Sequence, residues 1–221
     1  MSKRLSDLSI SQPYGKLFIL AGSSGAGKTT LAREIIAKFK NTYNCDINRV
    51  VTYTTKSPRI GEQTVQDYHY IGETEFRAKI DQGFFLEWSC AYGAYYGSPR
   101  EILNKLKLGN SLILIVDQAG VQTIYNFVQN LGNFKESELL KNSLVYIWVE
   151  TNLAILEQRL RARSTEPEVG LQMRLSLAQQ EILSKHKKLS HIFNYSLLNE
   201  SSLEQVIADL ERLFKHEFRI K

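Results

Sequence analysis

A glycine-rich octapeptide, GSSGAGKT at residues 22–29, most constrains what this 221-residue chain can fold into. It follows a short apolar run, LFILA at 17–21, and precedes LAREIIAKF at 31–39, in which apolar residues recur at helical spacing. This order predicts a buried strand, a tight loop and a helix. Glycines in such a loop let consecutive backbone N–H groups point inward at the helix N-terminus, which creates a binding site for an anion.

The octapeptide matches G-x-x-x-x-G-K-[ST], and its place between a strand and a helix is the context that this phosphate-binding motif needs. Lys28 is expected to reach the β- and γ-phosphates of a nucleotide, and the hydroxyl of Thr29 to ligate Mg²⁺. The predicted ATP-binding residues are therefore Gly22, Ser23, Ser24, Gly25, Ala26, Gly27, Lys28, Thr29 and Thr30. The motif alone leaves GTPases, ATPases and kinases open.

Three later apolar segments predict further strands, because each is short, rich in β-formers and followed or preceded by helical patterns. They are SLILIVD at 111–117, SLVYIWVE at 143–150 and FNYSLLN at 193–199, the last followed by a long helix at about 201–218. Alternating strands and helices predict an α/β fold with a parallel sheet flanked by helices.

Two segments fall outside this alternation. About 60 residues before the strand at 111–117 are rich in Thr, Tyr, Gly and Pro, which indicates a lobe inserted into the core. The arginine-rich segment 153–188 is helical in pattern, and a capping box at Thr165 and Glu168 predicts that one helix ends near Arg163 and another begins near 166. A GTPase would show an N-K-x-D motif, whereas the Asn-Lys pair at 104–105 continues with Leu-Lys. Because this motif is missing and the inserted lobe and the arginine-rich helices are present, we expect a small kinase that closes two lids over its substrates.

Composition excludes several other classes. The net charge of +5 comes without a tight Lys/Arg run that alternates with aromatics, so no nucleic-acid partner is expected. The two cysteines, Cys45 and Cys90, lack metal or disulfide spacing, which favours a reducing compartment and a cytoplasmic location. No apolar run is long enough to span a membrane, and residues 1–15 are expected to be a flexible N-terminal extension.

Two stretches carry a family resemblance: VTYTTKSPRIGEQTVQDYHYI at 51–71 and FLEWSCAYGAYYGS at 85–98. Both closely resemble the substrate lobe of guanylate kinases, which are P-loop nucleoside monophosphate kinases. With the phosphate loop and the arginine segment, the likeness covers roughly residues 16–218. It implies one domain over 16–221, with a core at 16–50, 99–152 and 176–221, a mixed α/β GMP-binding lobe at 51–98 and a helical lid at about 153–175.

The resemblance assigns roles in this lobe. Glu87 corresponds to the glutamate that reads the base: guanine presents two adjacent donors, N1–H and the exocyclic amine, which a carboxylate accepts together. Thr52 and Ser98 correspond to hydroxyls that contact the guanine carbonyl oxygen. The residues that correspond to the phosphate site of GMP are Arg59, Tyr68, Tyr96 and Lys56, the last in place of the family's usual arginine.

For catalysis, the resemblance implies Lys28, Arg59, Arg159, Arg163, Arg174 and Asp117. Arg159 and Arg163 share one helix face, and with Arg174 they are expected to contact phosphates when the lid closes. Asp117 is expected to lie near Mg²⁺ or the GMP phosphate, with a helix N-cap as the alternative and bland interpretation.

The chain departs from the family pattern at several positions besides Lys56. Ile115 stands where the family commonly has a carboxylate, Ser164 replaces a glycine of the lid, and Gln118 and Ala119 invert the usual order. Residues 126–142 are longer than the corresponding family connection.

The expected function is that of a guanylate kinase, which phosphorylates GMP or dGMP with MgATP. One alternative is a guanylate-kinase-like module that has lost catalysis and binds a phosphorylated protein partner. The intact Lys28 and Thr29 favour the kinase, while Lys56 and Ile115 favour the module. A kinase of altered base choice is a third hypothesis, and the oligomeric state stays open.

Overall fold

The fold was obtained as a computed structural model that describes residues 14–58, 67–91, 93–162 and 168–220. The strands of these residues are β1 (Leu17–Ala21), β2 (Ile47–Arg49), β3 (Thr52–Thr54), β4 (Tyr68–Tyr70), β5 (Phe85–Ala91), β6 (Ala94–Pro99), β7 (Ser111–Ile115), β8 (Leu144–Glu150) and β9 (Tyr195–Leu198). The α-helices are α1 (Lys28–Tyr43), α2 (Glu73–Asp81), α3 (Ile102–Lys107), α4 (Gln118–Gln129), α5 (Phe134–Ser143), α6 (Leu153–Ala162), α7 (Glu168–Ser184) and α8 (Leu203–Phe218).

Five strands form a parallel sheet in the order β2-β7-β1-β8-β9. The four strands predicted from apolar runs are all in this sheet, and the predicted α/β fold is confirmed. The edge strand β2 was not predicted, because its three residues are too few to show a hydrophobic period. Parallel strands end at one edge, so the segments that follow β1 and β7 meet there.

The central strand β1 is completely buried, and its alternating side chains divide the core into two layers. Phe18 and Leu20 pack with the buried faces of α1 and α8, where Phe18 stacks on Phe214 with ring centroids 3.7 Å apart. Leu17 and Ile19 point to the opposite face, which α3 and α4 cover. Because both faces of β1 are buried from solvent, the strand is held in place. The loop that follows its carboxyl end therefore starts from a fixed position.

A second sheet, in the order β4-β3-β6-β5, is built from the segment that was expected to be an inserted lobe. It is mixed: β3 pairs in parallel with β4 and antiparallel with β6, and β6 pairs antiparallel with β5. Helix α2 covers it through the buried Phe76, whose ring stacks on Phe85. Strand β5 also packs against α4, which joins the second sheet to the core.

Residues 126–142, which were expected to be a long connection, contain the end of α4 and most of helix α5. After α4 ends, α5 begins at an N-cap, Asn133, whose side chain accepts a hydrogen bond of 3.2 Å from the backbone N–H of Glu136. Helix α5 packs against β8 and α4. Helix α6 is described as far as Ala162, and the predicted helix end near Arg163 lies outside the described residues.

The expected capping residue Thr165 and the expected extension at 1–15, apart from residues 14 and 15, lie outside the described residues. Within the ranges that the structure covers, no helix has the length and apolar character needed to cross a bilayer.

The stacked ring of Phe214 gives a first prediction. Phe214→Ala should lower the free energy of unfolding by about 3–5 kcal/mol, because it leaves a cavity between α8 and β1. Urea denaturation followed by circular dichroism measures the loss. Phe134→Ala, at a side chain that is 80% exposed, is the matched control and should change the free energy by less than about 0.5 kcal/mol. Equal effects of the two variants would contradict this account of the core.

Candidate active site

The phosphate-binding loop runs from the end of β1 to the start of α1, as its sequence predicted. Gly27 is the N-cap of α1 in a left-handed conformation, with φ of 89°, which favours glycine. A Cβ atom at Gly27 would lie 2.5 Å from Nδ2 of Asn199, and this amide donates a 2.7 Å hydrogen bond to the carbonyl of Ala26. The ammonium of Lys28 donates to the carbonyls of Gly22 and Ser23. The loop is thus held in a closed turn around the site where an anion would bind.

A cavity of about 610 Å³ lies between this loop and the second sheet. Of the residues proposed from the sequence, the wall contains Gly22, Ser24, Gly25, Gly27, Lys28, Thr29, Thr30, Thr52, Lys56, Tyr68, Glu87, Tyr96, Asp117 and Arg174. Ser23, Ala26 and Ser98 are buried directly behind it. Arg59 and Arg163 lie outside the described residues. One continuous cavity therefore joins the phosphate loop to the proposed base-reading residues.

Glu87 is buried in the wall of this cavity, with 4% of its surface exposed. The hydroxyl of Ser98, on the neighbouring strand β6, donates a hydrogen bond to its Oε1. Its Oε2 lies against Gly120 of α4, where an added Cβ atom would approach to 2.7 Å. Glycine is therefore what lets α4 pack this closely on the carboxylate.

Burial raises the pKa of Glu87 from 4.5 to about 7, since a buried carboxylate loses its hydration. The hydrogen bond from Ser98 opposes this shift, and the nearby charge of Asp117 adds to it. Ser98 supplies a hydrogen bond to this buried carboxylate, and a ligand that offers two adjacent N–H donors would add further donors to its charge.

Asp117 joins the two sheets. It is the N-cap of α4, with Oδ1 accepting a 2.8 Å hydrogen bond from the backbone N–H of Gly120. Its Oδ2 accepts a 2.6 Å bond from the hydroxyl of Ser89, on strand β5 of the second sheet. The N-cap interpretation of this residue was thus correct, and the cap also lines the cavity. A role at Mg²⁺ or at a phosphate stays a prediction.

Lys56, Tyr68 and Tyr96 form a polar wall from the second sheet. The ammonium of Lys56 lies 4.6 Å from the ring centroid of Tyr68, a cation–π distance, and the rings of Tyr68 and Tyr96 meet edge to face at 6.2 Å. A cation and two phenolic hydroxyls on one wall of a cavity suit a phosphate group.

The arginines of the lid segment differ in placement. Arg174 lines the cavity, and its Nη1 lies 3.3 Å from the hydroxyl of Ser24 in the phosphate loop. Arg159 donates to the carbonyl of Asn199 at 3.1 Å, and its Nη1 is buried without a hydrogen-bond partner in the described part of the chain. Arg161 is exposed and pairs with Glu157 and Glu168.

Several residues of the site were not identified from the sequence, among them Arg49, Asp67 and Glu181 in the cavity wall and Asn199 against the phosphate loop. Arg49 ends the short strand β2 and pairs with Asp67 at 3.1 Å. Glu181 lies seven residues after Arg174 in α7, and this spacing puts both on one helix face, a signal that was available. Asn199 directly follows β9, and only the folded chain brings it to the phosphate loop.

A magnesium ion would fit the donors at the phosphate loop. Thr29 lines the cavity, and Oε2 of Glu181 is buried without a hydrogen-bond partner among the described residues. Hard oxygen donors of this kind, few in number and beside a phosphate site, are what Mg²⁺ uses.

The buried carboxylate gives a prediction about stability. Because the pKa of Glu87 is higher in the folded than in the unfolded chain, folded protein holds more protons between about pH 4.5 and 7, and stability falls as the pH rises through this window. Glu87→Gln removes the titrating carboxyl group and with it this loss of stability. It should therefore raise the free energy of unfolding at pH 8 by about 1–3 kcal/mol and have little effect below pH 4.5.

Urea denaturation at several pH values measures the effect. Glu73→Gln is the control, since Glu73 lies in the same lobe with 58% of its side chain exposed. A destabilised Glu87→Gln protein at pH 8 would contradict the burial argument.

Comparisons with known proteins agree with this geometry. A family model described as guanylate kinase matches residues 14–217. Among curated proteins, the guanylate kinase of Dechloromonas aromatica is 32% identical over 205 residues, which covers 91% of this chain and 89% of that protein. That of Idiomarina loihiensis is 30% identical over 217 residues, covering 95% and 94%. The solved structure of guanylate kinase from Anaplasma phagocytophilum has a TM-score of 0.67 at 22% identity and covers 95% of this chain and 89% of that one, which supports the same fold.

Proposed function

Since the chain belongs to the guanylate kinase family and is a nucleoside monophosphate kinase, we propose that it transfers the γ-phosphoryl group of ATP to GMP or dGMP. The products are ADP and GDP or dGDP. The observation that carries the proposal is Glu87, a buried carboxylate that lines the same cavity as the phosphate loop. The matched relatives favour this kinase over the binding module that was considered as an alternative.

Guanine recognition rests on Glu87. Its carboxylate accepts from N1–H and from the exocyclic amine of guanine, while Ser98 and Thr52 supply hydroxyls beside it. Adenine presents an acceptor where guanine presents a donor, so it would leave the buried carboxylate unpaired. Hydrogen bonds to a charged group contribute about 1.5–3 kcal/mol each, so discrimination of about a hundredfold or more is expected.

The phosphates of ATP and the phosphate of GMP are held by different parts of the cavity wall. Backbone N–H groups of the loop and the ammonium of Lys28 bind the donor phosphates, and Arg174 adds a positive charge from α7. Lys56, Tyr68 and Tyr96 hold the phosphate of GMP, to which Arg59 adds its guanidinium. Arg159 and Arg163 join when the lid closes, and closure excludes water that would otherwise hydrolyse ATP.

No general base is required, because the acceptor is already an anionic phosphate oxygen. Catalysis then depends on in-line positioning and on charge neutralisation. Mg²⁺, when bound with ATP, supplies further neutralisation at the β- and γ-phosphates, and Thr29 would hold it. Asp117 keeps the end of β7 and the start of α4 aligned with the second sheet. The reaction is proposed to take place in the cytoplasm, which is supported by Cys45 and Cys90 both being free thiols.

A nucleotide panel tests the proposed function. With MgATP as donor, GMP and dGMP should be phosphorylated, and AMP, UMP and CMP should show kcat/KM values lower by about a hundredfold or more. A coupled assay of ADP release measures the turnover. Turnover of AMP equal to or better than that of GMP would rule out the proposal.

A substitution at Glu87 separates base reading from phosphate binding. Glu87→Gln should weaken GMP binding by about a hundredfold while ATP binding stays unchanged, because the amide presents a donor where guanine also donates. Calorimetry measures both affinities. Between pH 7 and 6 the wild type should lose GMP affinity more steeply than Glu87→Gln, since only the wild type must release a proton from this group. Glu73→Gln is the control, and parallel pH profiles of the wild type and Glu87→Gln would contradict the assignment.

A further inference from the structure

We infer that Glu181 of α7 holds the Mg²⁺ ion that enters with ATP, by accepting hydrogen bonds from the water molecules that the ion retains. This inference rests on the proposed function and concerns a residue that neither the sequence motifs nor the comparisons assign. Glu181 lines the same cavity as Lys28 and Thr29.

Glu181 has an unused acceptor. Its Oε2 atom is buried and has no hydrogen-bond partner within the described ranges. A buried carboxylate oxygen without a partner costs about 1–3 kcal/mol or more, so a fold retains one where a ligand satisfies it. In a phosphate-binding cavity, that ligand must bring positive charge or a donor.

Asp117 is less suited to this task. Both of its carboxylate oxygens already accept hydrogen bonds, Oδ1 from the N–H of Gly120 and Oδ2 from the hydroxyl of Ser89. The part of the cavity wall next to Asp117 is otherwise apolar, since Ile115 and Val116, which precede Asp117 in the chain, line it. Of these two carboxylates, Glu181 is therefore the one with an oxygen that has no partner among the described residues.

The electrostatic surroundings of Glu181 favour a cation. Burial raises the pKa of Glu181, and the charge of Asp117 raises it further, whereas Lys28 and the hydroxyl of Ser23 lower it. Glu181 and Asp117 thus lie close enough for their charges to repel, and Lys28 is the cation that acts on Glu181 from the phosphate loop. A divalent ion would relieve this repulsion and, at the same time, neutralise the charge of the triphosphate.

Helix α7 is fixed firmly enough to position this side chain. The side-chain amide of Gln118, at the start of α4, donates to the carbonyl of Glu181. One turn earlier, the carbonyl of Ala178 accepts a 3.4 Å hydrogen bond from the hydroxyl of Ser23. Another turn earlier, Arg174 reaches Ser24. Three contacts on one face thus align α7 with the phosphate loop, and Glu181 belongs to that face.

Mg²⁺ keeps several of its water ligands in nucleotide sites, because it dehydrates reluctantly. A carboxylate that accepts from these waters orients the ion, and removing such an outer partner typically lowers metal affinity by about 10- to 100-fold. Glu181 would in this way act from the side of α7, while Thr29 holds the ion from α1.

The test compares ATP binding with and without the metal. Calorimetry gives the ATP affinity of each variant in excess Mg²⁺ and in excess chelator, and the ratio of the two affinities is the readout. Glu181→Gln should lower this ratio by about tenfold or more. Its affinity for metal-free ATP should be unchanged or higher, because the neutral amide repels the triphosphate less. Glu181→Asp retains the charge and should keep a ratio between those of the wild type and Glu181→Gln.

Two controls complete the experiment. Glu138 lies in α5, and 46% of its side chain is exposed. Glu138→Gln should therefore leave the ratio of the two ATP affinities unchanged. GMP binding should be the same in the wild type and in Glu181→Gln. A Glu181→Gln ratio within about twofold of the wild type would overturn the inference, as would equal weakening of ATP binding with and without Mg²⁺. A wild type that binds neither ATP nor GMP would instead overturn the proposed function itself.

Discussion

The burial of β1 on both faces is the constraint from which the rest of the structure follows. Its even-numbered side chains pack under α1 and α8, and its odd-numbered ones under α3 and α4, so the strand cannot move without disturbing both layers. The loop that leaves its carboxyl end is therefore fixed in place before any ligand arrives. A pre-organised loop does not spend binding free energy on its own ordering, which is an advantage for a site that holds a highly charged group.

The second sheet is held to this frame by Leu86 of β5, which is buried in the same apolar layer as Leu17 and Ile19, and by polar contacts. Ser89 donates to Asp117 across the junction, Arg49 pairs with Asp67, and Gly120 brings α4 against Glu87. The polar contacts are directional, so they fix the angle at which the second sheet faces the phosphate loop. They are also easier to rearrange than packed side chains, which suits a lobe that must admit one nucleotide and release another.

Much of the fold and part of the site could be predicted from the sequence. The strand, loop and helix at 17–39 could be predicted because the glycine spacing and the apolar periods are local signals. The proposed GMP residues Glu87, Tyr96 and Ser98 came from a family resemblance; the structure places Glu87 and Tyr96 in the cavity wall and Ser98 in hydrogen-bond contact with Glu87. Glu181 and Asn199 were missed, because their significance arises only when α7 and β9 pack beside the phosphate loop, far away in sequence. Arg49 was missed because its strand, β2, has only three residues, which is too short to show a hydrophobic period.

The stacking of Phe18 on Phe214 has a consequence for how the protein is made. These rings lie about two hundred positions apart in the chain, yet each covers the other in the same core layer. During synthesis, β1 leaves the ribosome long before α8 exists, and the face that it shares with α1 is covered only in part until α8 arrives. Contacts of such long range slow folding and prolong the exposure of apolar surface. The phosphate loop therefore acquires its full support only after a segment nearly two hundred residues further along the chain has been made.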